Sequence, residues 1–84
     1  MSIVIEEVAS HRNGVAGEGF YVVKFRDGRL NLVATVFEGE MQTAVLDRDL
    51  LAAGVIEMGK NSWRGDVYDT ELRVAIAEYE SERG

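Results

Sequence analysis

With 84 residues, 46% of them hydrophobic, the chain is sized and composed for one small globular domain over residues 1–84. The absence of cysteine excludes disulfides, thiolate chemistry and cysteine-held zinc, and no apolar run approaches the roughly 20 residues that span a bilayer. The net charge of −6 is uneven: residues 1–37 balance four bases against four acids, while residues 38–84 carry five bases and eleven acids. Such a surface repels phosphate backbones, so direct nucleic-acid binding is disfavoured and a protein partner is expected.

The first residues, Met1-Ser2-Ile3-Val4-Ile5-Glu6-Glu7, meet two acids after three apolar positions. That is not the pattern of a secretory leader, and the expected location is the cytoplasm. Residues 3–10 are rich enough in β-branched side chains for a first strand. Residues 11–19 follow with three glycines, which reads as a loop or a long hairpin connection.

Asp27-Gly28 separates two apolar-rich runs, 20–26 and 29–37, and Asp-Gly favours a two-residue hairpin turn. With Asp27 and Gly28 as the two loop residues, paired positions sum to 55, which sets Phe25 against Leu30, Val23 against Leu32 and Tyr21 against Ala34. One face is then wholly apolar. The other, with Phe20, Val22, Lys24, Asn31, Val33 and Thr35, is mixed, as a half-buried antiparallel pair requires.

A turn at 38–40 leads to a fourth strand over 41–46. Asp47 can cap a short helix over 48–53, which Gly54 ends in the left-handed conformation. Residues 55–58 read as a short extended piece. Asp69 or Thr70 caps a last helix running to about residue 82. Leu72, Ala75, Ile76 and Tyr79 fall on one of its faces, and Glu71, Arg73, Glu78, Glu80 and Glu82 lie away from it. The acids at its end oppose the helix dipole and predict fraying. The expected fold is α+β: an antiparallel meander of three to four strands, a short helix, and a C-terminal helix packed on one face.

Catalytic signatures are absent. His11, the single histidine, has no nucleophile or carboxylate at a useful spacing and reads as a strand end. Gly14, Gly17 and Gly19 lead into a strand, whereas a phosphate loop opens a helix. Asp47, Asp49, Asp66 and Asp69 do not match a calcium loop and read as helix-capping and first-turn acids. Arg64-Gly65-Asp66 spells an adhesion tripeptide without the disulfides of a secreted protein. No metal or cofactor is implied.

The segment 59–66 holds the single tryptophan. Lys60, Asn61, Trp63, Arg64 and Asp66 form the candidate partner-binding loop, because tryptophan and arginine concentrate at the energetic centres of interfaces. The competing reading makes Trp63 an end-cap for a small core. Glu38, Glu40, Asp47 and Asp49, together with the C-terminal helix, form a candidate acidic surface. The sequence therefore points to a non-enzymatic interaction or regulatory module, in its specific version one that occupies a basic site on a nucleic-acid-binding protein. The alternative is a small-ligand binder or minor enzyme using the 11–19 and 60–66 loops. A homodimer through the mixed sheet face (Phe20, Val22, Val33, Thr35) is a third arrangement.

Overall fold

The computed structural model describes residues 3–11, 19–39, 43–54 and 65–83, the side chains of 65, 66 and 83 excepted. Four strands, β1 (Ile3–His11), β2 (Phe20–Asp27), β3 (Leu30–Phe37) and β4 (Ala44–Asp47), form an antiparallel sheet in the order β1-β2-β3-β4. Helix α1 (Arg48–Ala52) follows β4 directly, and α2 (Gly65–Arg83) closes the chain. The architecture is the α+β meander expected from the sequence.

The β2–β3 hairpin forms, but one step beyond the predicted turn. Asp27 pairs with Leu30, Phe25 with Leu32 and Val23 with Ala34, so paired positions sum to 57 and the loop residues are Gly28 and Arg29. Gly28 carries φ +62, the left-handed conformation that glycine adopts without a Cβ penalty. Asp27 instead closes the ladder and extends β2. Because side chains alternate with period two, moving the sum by two preserves every face assignment. Tyr21, Val23, Phe25, Leu32 and Ala34 remain on one side.

β1 contains a bulge, with Ile5 opposite Phe25 and Glu7 opposite Lys24. Strict alternation would send Glu7 into the core. The extra residue, Glu6, shifts the phase, so that Ile3, Ile5 and Val8 all pack against the core while Glu7 turns outward to pair with Lys24 at 3.4 Å. Glu6 in turn meets the Arg48 guanidinium, which also donates to the Phe25 carbonyl at 3.3 Å. The first residue of α1 is thereby tied back to β1 and β2.

The core consists of Val23, Phe25, Leu32, Ala34, Val36 and Val45 from the sheet and Tyr68, Leu72 and Ile76 from α2. Phe25 and Tyr68 meet edge-on, with ring centroids 5.3 Å apart, and the Tyr68 hydroxyl donates to Asp27 at 2.5 Å. The predicted apolar face of the last helix is therefore correct. Its start is not: α2 begins at Gly65, and Asp69 lies inside the helix rather than at its cap. There Asp69 accepts from the Thr43 hydroxyl and from Arg73 Nε at 3.1 Å, while Arg73 also donates to the Phe37 carbonyl at 2.7 Å.

Asp47 caps α1 as predicted, accepting from the backbone of Asp49 and Leu50 at 2.9 and 3.1 Å. Gly54 follows with φ +76. The predicted fourth strand at 41–46 appears as β4, Ala44–Asp47, with positions 41 and 42 outside the described residues. The extended piece at 55–58 also lies outside them.

Candidate functional site

The predicted partner-binding residues Lys60, Asn61, Trp63 and Arg64 lie outside the described residues, as does Glu40. Asp66 falls in the first turn of α2, with its side chain undescribed. The ligand-binding alternative depends on segments 12–18 and 60–64, which are also outside them. His11, at the end of β1, is exposed and stacks on Phe20 at 5.0 Å with 21° between the rings.

Outside the C-terminal helix, three acids of the predicted acidic surface are described, and they divide between two ends of the sheet. Asp47 pairs with Leu32 on β3, and its carboxylate is already engaged as the α1 cap. Asp49 is exposed beside it and accepts from Asn31 at 3.3 Å. Glu38 follows the far end of β3, with its N–H bonded to the Gly19 carbonyl. Six residues of extended chain separate the levels of Asp47 and Glu38, roughly 20 Å at about 3.3 Å per residue. Asp47 and Asp49 belong together; Glu38 stands apart.

The acids that the C-terminal helix brings to the predicted surface have a more definite setting. Glu78, Glu80 and Glu82 are exposed on the last turns of α2 and form no ion pair among the described residues. Glu78 and Glu82 are one turn apart on the flank that faces β1. With Ile3, Ile5, Ala75 and Tyr79 they line a cleft of about 240 Å³ between strand and helix. The cleft sets the aliphatic side chains of Ile3, Ile5 and Ala75 beside the carboxylates of Glu78 and Glu82. It suits a group with an aliphatic body and a positive end.

The sequence signals the acids but not their setting. Glu78-x-x-x-Glu82 places like charges one turn apart near a negative helix end, an arrangement that costs stability and carries no packing benefit within the helix. What the sequence does not reveal is that β1 runs beside them, because that depends on how α2 crosses the sheet.

On the opposite face, His11, Phe20 and Phe37 occupy one cross-strand row over β1, β2 and β3. Phe20 and Phe37 are tilted by 47° with centroids 6.0 Å apart. Val22, Val33 and Thr35 beside them are half-buried. Helix α1 packs against β3, and the Asn31–Asp49 bond fixes it to this same face.

The carboxyl of Asp69 is held away from its ordinary ionisation. The hydrogen bond from Thr43, then that from Arg73, hold its carboxyl below the usual aspartate value. This tie joins α2 to the end of β3 and to Thr43, just ahead of β4, and it makes Asp69 a fixed acceptor. No three His, Asp or Glu side chains converge on a metal-binding geometry among the described residues, and none of their helices is long and apolar enough to cross a membrane. No family model, curated protein or solved structure matches this chain.

Proposed function

We propose that the protein is a non-enzymatic interaction module that engages a basic surface of another protein through the C-terminal half of α2. In the specific form of this reading, the partner is a nucleic-acid-binding protein and the acidic helix occupies its basic site. The observation that carries the proposal is the set of exposed carboxylates, Glu78, Glu80 and Glu82, without ion-pair partners among the described residues. They sit where the helix dipole opposes them, so their placement lowers rather than raises helix stability. Charges held at such a cost are well placed to serve a contact outside the molecule, where they steer association with a positively charged surface.

Affinity capture from host lysate with wild-type protein and a Glu78→Lys/Glu80→Lys/Glu82→Lys variant tests this reading. Wild type is expected to retain a basic protein that elutes as salt is raised, and the variant to lose it. Equal capture by a correctly folded variant would refute the proposal.

A further inference from the structure

Among the described residues β1 is a sheet edge: it pairs with β2 on one side only. An edge strand directs a row of N–H and C=O groups outward, and another extended backbone satisfies them in series. The cleft lined by Ile3, Ile5, Ala75, Glu78, Tyr79 and Glu82 lies along this strand on the α2 side. On the other side of the same edge, Val4 is 52% exposed.

Resting on the interaction-module reading above, we propose that β1 receives an added strand from the partner protein: an extended segment in which Lys or Arg alternates with apolar residues. Side chains of an added strand point alternately to the two faces. Those on the α2 face enter the cleft, where Ile3 and Ile5 accept the aliphatic stem of a Lys or Arg and Glu78 and Glu82 accept its charged end. Those on the other face lie beside Val4, which favours apolar carbon. The bulge at Glu6 twists the edge and discourages indiscriminate pairing, so main-chain bonds alone do not select a partner and charge does.

A second copy of this chain is a poor occupant. Two β1 edges meeting about a twofold axis perpendicular to the sheet keep both α2 helices on one face. The Glu78 and Glu82 pairs of both copies would then confront each other across the seam, with like charges opposed.

The test is an NMR titration of the whole ¹⁵N-labelled protein with three synthetic peptides. One alternates valine and lysine, one alternates valine and glutamate, and one is the valine–lysine peptide N-methylated at every second amide. The valine–lysine peptide is expected to shift amides of β1 and of residues 78–82 together, with affinity falling at least about tenfold between about 50 and about 300 mM salt. N-methylation removes donors from the new ladder and is expected to weaken binding at least about tenfold. A Glu78→Gln/Glu82→Gln variant is expected to weaken it similarly while leaving the β1 amide shifts of the free protein in place.

If the N-methylated peptide binds as tightly and its shifts are confined to α2, strand addition is overturned and the acidic-surface reading survives. Equal binding of the valine–glutamate peptide overturns charge selection, and with it both readings. Failure of every peptide to shift β1 overturns strand addition, as do β1 shifts that depend on protein concentration alone, which would indicate self-pairing.

Discussion

At the scale of single residues, Asp69 ties together segments that are far apart in the chain. It accepts from Thr43, which lies just ahead of β4, and from Arg73 one turn along α2, and Arg73 reaches on to the end of β3. A carboxyl held below its unfolded value contributes stability that is complete above the ordinary aspartate value, about 3.9, and is lost as pH falls through its lower folded value. Acid unfolding of wild type should therefore include a component below about pH 4 that an Asp69→Asn variant lacks. Urea midpoints compared between about pH 3 and pH 6 check this. An equally steep loss in the variant would assign the acid sensitivity to other carboxylates.

The elements differ in how far local pattern determined them. The 72–79 face of α2 follows from 3.6-residue spacing, and the two faces of the β2–β3 hairpin follow from alternation. Both survive in the structure although the predicted boundaries move. The first turn of α2 was obscured because glycine is a poor helix former, about 1 kcal/mol below alanine, so Gly65 reads as loop. Burial of Tyr68 against Phe25, with its hydroxyl on Asp27, outweighs that local preference. The bulge in β1 had a visible cue, two consecutive acids interrupting an apolar alternation, but its phase shift depends on pairing with β2. The β1–α2 cleft had no local cue, since strand and helix lie at opposite ends of the chain. Leu72 measures how much α2 contributes: it is fully buried between the helix and the sheet. Leu72→Ala should cost about 2–5 kcal/mol, against a total of about 4–12 kcal/mol for a domain of this size. The shift in urea midpoint, with the slope unchanged, measures that cost. A loss well under about 1 kcal/mol would mean that α2 docks only loosely.

Over the whole molecule, the stability of the free chain and the proposed binding respond to charge in opposite directions. A charge of −6 on 84 residues gives self-repulsion, and the acids at the end of α2 add an unfavourable interaction with the helix dipole. Both effects act between exposed groups and are screened over a Debye length of about 10 Å at 0.1 M salt. Salt should therefore raise the thermal stability of the free protein while weakening its attachment to a basic partner. The two responses have one origin if Glu78 and Glu82 carry them. Replacing both with glutamine should raise Tm at about 20 mM salt and flatten its further rise toward about 300 mM. The same replacement should lower affinity for a lysine-rich strand. Calorimetric scans of wild type and the double variant across that range, paired with the peptide titration, separate the contributions. If the variant keeps the full salt response of Tm, the repulsion arises elsewhere on the surface, and these two carboxylates are not where the molecule trades stability for binding.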